Sequence, residues 1–193
     1  MRTTPTDPTA ALAALITANH RVVARQAMSN ASSESEPRAG LLEHAHEGAR
    51  GDVTVESRRR GRAFLAVMPL DVDPLGLSGA FELTADALRL VEWGGSGGAA
   101  FEAAVSAPGI VLFLVAVRLL DARAGANTFQ QAESEAFMGL DAAIRNSTSL
   151  RAALVGRRIR AVAMALEHGS RRVHWLGEHP RQSELVRGAR SPS

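Results

Sequence analysis

The longest apolar stretch of the chain covers residues 107–120, and Arg118 is the one charged residue within it. Its uninterrupted part is about ten residues long, whereas a membrane-spanning helix needs roughly 20 apolar residues. A short, continuous and bulky apolar run of this kind is typical of a buried strand. The sequence therefore predicts a central strand over residues 110–117 and no association with a membrane.

Two amphipathic helices flank this strand in the sequence. The first begins at Asp7 and Pro8, a capping side chain followed by a proline at the first helical position. Its apolar residues continue at helical spacing to Met28. The second helix covers residues 129–146, where phenylalanine, alanine, leucine and isoleucine recur at the same spacing.

Strand-like segments occur at residues 63–68, 88–93 and 172–176. Residues 81–83 also alternate, and together with residues 88–93 they predict a hairpin. We therefore expect an α+β fold, in which a mainly antiparallel sheet packs against the N-terminal helix and the helix of the C-terminal half.

Several shorter segments are less specific. Residues 101–105 and residues 159–166 each suit a strand or a helix. Asp73-Pro74-Leu75-Gly76 has the residues of a turn. Gly156 is the expected stop of a short helix over residues 149–155.

A polar, serine-rich stretch separates the first helix from the rest of the chain. We expect an N-terminal helix over residues 1–28, a polar linker or loop over 29–51, an α+β core over 52–178 and a polar, arginine-rich tail over 179–193. At this length the segments suit a single domain.

All 22 basic residues of the 193-residue chain are arginines, and there is no cysteine. The lack of cysteine excludes thiolate catalysis, disulfide bonds and cysteine-ligated metal sites. Residues 63–149 carry a net charge of −6 and residues 150–193 one of +6. The acidic middle of one copy therefore suits the basic end of another, unless both are simply solvated surfaces.

The arginines that we expect at such an interface occur in clusters. They are Arg58, Arg59, Arg60, Arg62, Arg157, Arg158, Arg160, Arg171 and Arg172. These clusters could contact phosphates, but Trp175 is the one aromatic residue among them. Sequence-specific recognition of nucleic acid is therefore not expected.

One histidine pair suggests a metal site. On a strand, His44 and His46 would share a face and bind a divalent metal through two imidazoles, with Glu56 or His174 as a third ligand. The alternative is a pair of solvent-exposed histidines. We assign no metal and no cofactor from this pattern.

Two groups of polar residues suggest other chemistry. Asp71 and Asp73 could hold a hard cation such as Mg²⁺, or they could start a turn. His174, Glu178 and His179 contain the carboxylate and imidazole of a general base, but no serine stands in a nucleophile elbow. We therefore assign no catalytic residue.

The order of the elements provides a resemblance. An N-terminal helix, several strands, the buried strand at Gly109-Ile110-Val111-Leu112, a long helix and a terminal strand pair follow one another. Over residues 63–176 this order resembles the tail-terminator and neck proteins of tailed bacteriophages, including the Mu-like minor tail family. Residues 149–156, Ser-Leu-Arg-Ala-Ala-Leu-Val-Gly, are similar to helix ends in those proteins.

The resemblance implies a non-enzymatic structural protein of a phage or phage-derived particle that self-associates at the tail and neck. We accordingly expect a homo-oligomer, located in the cytoplasm or in a virion assembled there. Two alternatives stay open. One is a small binding module, such as a secretion chaperone or adaptor that recognises a protein partner through its N-terminal helix. The other is a metal- or His-dependent enzyme.

Overall fold

Five strands form one mixed sheet in the computed structural model, which describes residues 7–33, 63–84, 87–91, 98–119 and 126–187. The strands are β1 (Leu65–Leu70), β2 (Leu88–Leu90), β3 (Leu112–Leu119), β4 (Arg160–Glu167) and β5 (Val173–Gly177). Six helices occur within the same ranges: α1 (Pro8–Ser33), α2 (Pro74–Phe81), α3 (Ala99–Val105), α4 (Ala126–Asn146), α5 (Thr148–Val155) and α6 (Gln182–Arg187). The predicted α+β fold is confirmed in that helices pack on one sheet.

The strands lie in the order β2-β1-β3-β4-β5. β2, β1, β3 and β4 run parallel, and β5 runs antiparallel to β4. The prediction of a mainly antiparallel sheet is therefore wrong. Parallel neighbours need a crossover that returns the chain to the same edge of the sheet, and α2, α3 and the pair α4 and α5 are those crossovers.

The expected hairpin does not form because its first strand is the end of helix α2. The carboxylate of Asp73 accepts hydrogen bonds from the backbone amides of Leu75 (3.3 Å) and Gly76 (3.0 Å). This capping chemistry is the same at a turn and at a helix start. The chain continues as a helix because its next apolar residues recur at helical spacing and pack on the sheet. These residues are Leu77, Ala80 and Phe81.

Helices cover both faces of the sheet. α1 and α2 pack on one face, against alternate residues of β1, β3 and β4. α3, α4, α5 and α6 pack on the opposite face. The central strand β3 is buried at every position except Arg118, which confirms the prediction of a buried central strand.

The two segments that suited either a strand or a helix are now assigned. Residues 101–105 belong to helix α3, which buries Phe101, Ala104 and Val105. Residues 160–166 belong to strand β4, which is buried at all six positions between its two half-buried ends. A strand covered on both faces has a near-continuous apolar sequence, which carries no clear period.

Two helices extend into segments that were predicted to lack regular structure. α1 reaches Ser33, inside the predicted linker. α6 lies inside the predicted tail and is anchored by the buried side chain of Leu185. No helix in the described ranges, α1 included, combines the length and the apolar character that a membrane span requires.

The residue that follows the C-cap of helix α5 is an arginine, at a position where glycine is usual. Gly156, the predicted stop, has φ −75°, and the left-handed residue is Arg157, with φ 53°. The amide of Arg157 donates to the carbonyl of Leu154 (3.1 Å), and that of Arg158 donates to the carbonyl of Ala153 (2.9 Å). This is the hydrogen-bond pattern of a Schellman C-cap. Because a left-handed backbone costs a non-glycine residue about 1 kcal/mol, Arg157 lowers the stability of the fold.

The buried amide of Asn19 fixes α1 to two other elements. Its Nδ2 donates to the carbonyls of Ala80 (3.0 Å) and Arg171 (2.8 Å). Its Oδ1 accepts from the amide of Val173 at 3.1 Å. With 1% of its surface exposed, Asn19 connects α1 to the end of α2 and to the start of β5 without competition from water.

We expect Asn19→Ala to lower the free energy of unfolding by about 3 kcal/mol, because it leaves buried backbone groups without partners. Urea denaturation measures this change. Thr17→Ala is the matched control on an exposed position of α1, and it should change stability by less than about 0.5 kcal/mol. Equal effects of the two substitutions would contradict the assignment.

The carboxylate of Glu102 on α3 caps the neighbouring helix α5. It accepts a hydrogen bond from the backbone amide of Ser149 at 3.1 Å. Burial raises the pKa of Glu102, but hydrogen bonds to Ser149, Ser147 and Thr148 outweigh burial, so that the pKa lies below its ordinary value. The ionised carboxylate therefore stabilises the contact between α3 and α5.

Because the folded-state pKa of Glu102 lies below its unfolded-state value, this stabilisation is present above the unfolded-state pKa and is lost as the pH falls through the folded-state pKa. We expect Glu102→Ala to cost about 1 kcal/mol at pH 7, as the loss of a helix cap does. Its free energy of unfolding in urea should approach that of the wild type toward pH 3. Glu102→Gln keeps an acceptor and should be intermediate at pH 7. A difference that does not change with pH would show that Glu102 acts by packing alone.

Candidate functional site

The carboxyl ends of β1, β3 and β4 lie at one edge of the sheet, which we call the carboxyl edge. From β1 the chain crosses to β2 on one side, and from β3 it crosses to β4 on the other. The connections that leave β1 and β3 therefore diverge. In open α/β sheets such divergence opens a crevice between the two strand ends.

Asp71 and Arg118 lie together at the ends of these two strands. Asp71 follows β1 directly and has a left-handed backbone, with φ 59°. Arg118 is the penultimate residue of β3, and its guanidinium donates a hydrogen bond to the carboxylate of Asp71. The side chains are 40% exposed for Arg118 and 70% for Asp71. Both charges are therefore accessible to a ligand.

The two aspartates that suggested a magnesium site have separate partners. Asp71 pairs with Arg118, and Asp73 caps α2, so that Asp73 starts a helix instead of the turn that we gave as the alternative. Among the residues described here, no three histidine, aspartate or glutamate side chains are close enough together to hold a metal ion.

At the end of β4, Glu167 lies between a serine and a histidine. The hydroxyl of Ser170 donates to Oε2 of Glu167 at 2.7 Å, and Nε2 of His174 lies 3.8 Å from the same oxygen. The ring of Phe129 packs edge-on against His174, with 5.6 Å between ring centroids. The imidazole is thus positioned mainly by packing, since a distance of 3.8 Å is too long for a hydrogen bond.

The sequence suggested Glu178 and His179 as neighbours of His174, but the structure separates the three side chains. Oε1 of Glu178 accepts a hydrogen bond from Nε of Arg160 at 2.6 Å, and His179 packs against helix α4. The general base suggested from these residues is not formed. Glu167, from the neighbouring strand, is the carboxylate beside His174.

His179 lines an open cleft of about 550 Å³ between α4 and the segment that precedes α6. Burial lowers the pKa of His179 below its ordinary value; Asp141 opposes this shift, while Arg181 and Arg145 add to it. Its Nδ1 accepts a hydrogen bond from the amide of Arg181 at 3.1 Å. His179 is therefore a neutral acceptor at pH 7.

Five of the nine arginines expected at an interface fall within the described residues, and they form two groups. Arg157, Arg158 and Arg160 lie at the start of β4, and Arg171 and Arg172 follow its end. An eight-residue strand separates the groups by roughly 23 Å. An interface that used all five would have to extend along the whole of β4, and it stays a prediction.

The other residues singled out from the sequence lie outside the described residues. They are His44, His46, Glu56, Arg58, Arg59, Arg60 and Arg62. The histidine pair and the first arginine cluster therefore stay predictions.

Two residues of the carboxyl edge were not among the site residues predicted from the sequence. Arg118 carried a signal, because it is the one charge in the apolar run and a charge that closes a buried strand marks the strand's end. Glu167 closes β4 in the same way. The contact of Arg118 with Asp71 could not be predicted from the sequence, because it depends on the parallel pairing of β1 with β3.

Within this α+β fold, the four parallel strands with helices on both faces form a doubly wound sheet, and β5 is its one antiparallel outer strand. No family model and no curated protein matches the chain. Among solved structures, the chain is similar to the β-carbonic anhydrase CafD of the filamentous fungus Aspergillus fumigatus, with 14% sequence identity and a TM-score of 0.37. The match covers 62% of this chain and 91% of that chain.

Similarity of this size carries no inference about activity. It also does not concern the tail-terminator and neck proteins of phages, so that resemblance stays a prediction.

The ion pair between Asp71 and Arg118 should contribute little to the stability of the fold, because both side chains are exposed. In a double-mutant cycle with Asp71→Asn and Arg118→Gln, we expect a coupling free energy between 0 and about 1 kcal/mol, which falls as salt is added. Urea denaturation of the four proteins measures it. A coupling above about 2 kcal/mol would identify the pair as a structural support instead.

Proposed function

We propose that this protein is a binding module for a small polar molecule, which it holds at the carboxyl edge between the ends of β1 and β3. One observation carries the proposal. The chain changes direction between these strands, and Asp71 and Arg118 lie together at the point where open α/β sheets bind ligands.

The charges at this point favour one class of ligand. The planar guanidinium of Arg118 suits a carboxylate or a phosphate. Its contact with Asp71 is exposed, so a ligand anion can replace that contact at small cost. Asp71 would then accept a hydrogen bond from the ligand. A small acid that also carries a hydroxyl or an amino group meets both requirements.

The backbone of Asp71 supports a role beyond the fold. A non-glycine residue with positive φ is uncommon, and such residues concentrate at binding and catalytic sites. Asp71 has this conformation where β1 ends. Asp73, two residues later, is already occupied by the amides of α2, so Asp71 is the aspartate that a ligand can engage.

The residues at the end of β4 favour binding over hydrolysis. A serine nucleophile needs an imidazole that takes its proton. Ser170 instead donates to Glu167, and His174 lies beside that same carboxylate. This arrangement positions polar groups without pairing a nucleophile with a base.

A ligand-observed NMR screen of small hydroxy and amino acids tests the proposal. We expect compounds that bind the wild type and whose affinity falls about tenfold in Arg118→Gln, as the loss of one hydrogen bond to a charged group predicts. Asp71→Asn should lower the affinity of those compounds that carry a hydrogen-bond donor.

Arg158→Gln is the matched control, because it removes the same charge from an exposed position at the other end of β4. It should leave these affinities unchanged. Compounds that bind Arg118→Gln with the same affinity as the wild type would refute a ligand site at the carboxyl edge. A screen in which no compound binds would refute it too.

A further inference from the structure

A second cleft, of about 400 Å³, lies at the start of β4 and thus at the other end of this strand from the carboxyl edge. The first turn of α1, the connection from α5 to β4 and the residues around the start of α6 form its walls. Leu154 and Ile159 contribute apolar surface, and Arg157, Arg160 and Gln182 contribute polar groups. The volume of this cleft lies in the range of roughly 300–1,000 Å³ that is usual for small-molecule pockets, and most of its lining residues are polar.

Arg160 is oriented but not fully used. Oε1 of Glu178 accepts a hydrogen bond from its Nε at 2.6 Å. This contact fixes the plane of the guanidinium and leaves the terminal N–H groups for a second acceptor. Arg160 can therefore bind an anion without first losing Glu178.

Arg157 lacks an ionic partner among the described residues, none of whose carboxylates lies within ion-pair distance of it. Its backbone is left-handed, with φ 53°, a conformation that glycine adopts without strain. The backbone therefore does not explain an arginine here, whereas the position of Arg157 at the cleft does.

Gln182 lines the same cleft. Its Oε1 is buried beneath the cleft surface and has no hydrogen-bond partner within the described ranges, although buried polar atoms are nearly always partnered. A ligand donor reaches this oxygen when the side-chain amide rotates toward the cleft. Asp7 forms no ion pair with these arginines among the described residues, and its Oδ2 accepts a hydrogen bond from the amide of Ala10 at 2.7 Å.

We propose that this cleft binds a small, partly apolar organic acid that carries an N–H or O–H donor. Its carboxylate lies against Arg157 and Arg160, and its donor meets Oε1 of Gln182. Its apolar part packs on Leu154 and Ile159. Because Asp7 and Glu178 balance the two arginines in charge, the cleft suits a monoanion better than a polyanion.

N-benzoylglycine is a suitable probe, since it combines one carboxylate, one N–H donor and an apolar ring. Its uncharged primary amide is the matched negative probe. In a ¹H–¹⁵N NMR titration we expect saturable binding of the acid, with shift changes around residues 154–160 and 182, and no binding of the amide.

Two neighbouring arginines provide the matched variants. Arg157→Gln should raise the Kd of the acid at least fivefold. Arg158 is the next residue, and its side chain does not line the cleft. Arg158→Gln therefore removes the same charge outside the cleft, and it should leave the Kd within twofold of the wild type. Equal weakening by both variants would show general attraction to a basic surface and would overturn the proposal.

Arg157→Gly separates binding from folding. Because glycine fits the left-handed backbone, this variant should raise the melting temperature by about 2–4 °C. It should nevertheless raise the Kd of the acid as much as Arg157→Gln does. Wild-type affinity in either variant, or no saturation of the wild type at 20 mM acid, would also overturn the proposal. The shift changes lie at the end of β4 opposite to the carboxyl edge, so this outcome is independent of the proposed function.

Discussion

The burial of β3 on both faces is the constraint on which the rest of the structure depends. Every residue of this strand except Arg118 is enclosed, so helices must cover the sheet on both sides. Helices can do so when they serve as crossovers between parallel strands, and α2, α3 and α4 have that role. Apolar contacts then occupy the faces of the sheet, and both proposed ligand sites lie at the ends of its strands.

Those elements that depend on local patterns could be predicted from the sequence. Capping and helical spacing identify α1, helical spacing identifies α4, and apolar runs identify β1 and β3. Helix α2 was missed because its Asp-Pro start is equally suited to a turn and because its helical spacing rests on three buried residues within one turn. This error led to the wrong prediction of antiparallel strands. A strand at residues 81–83 would pair with the next strand as a hairpin, whereas a helix there carries the chain back so that β2 runs parallel to β1.

The candidate site was less predictable than the fold, for a physical reason. Asp71 and Arg118 are 47 residues apart, and only the pairing of β1 with β3 brings them together. His174 and Glu178 are close in sequence, but strand β5 ends between them and their side chains take different partners. Proximity along the chain is thus a poor guide at strand ends, where neighbours come from separate strands.

The contacts of Asn19 have a consequence for biosynthesis. Its partners are the carbonyl of Ala80, 61 residues further along the chain, and backbone groups of Arg171 and Val173, more than 150 residues away. A ribosome releases the N-terminal end of a chain first, so α1 leaves the exit tunnel long before β5 exists. Two of the three hydrogen bonds of this amide can form only after residue 173 has been translated. Helix α1 is therefore synthesised well before the strand that holds it in place.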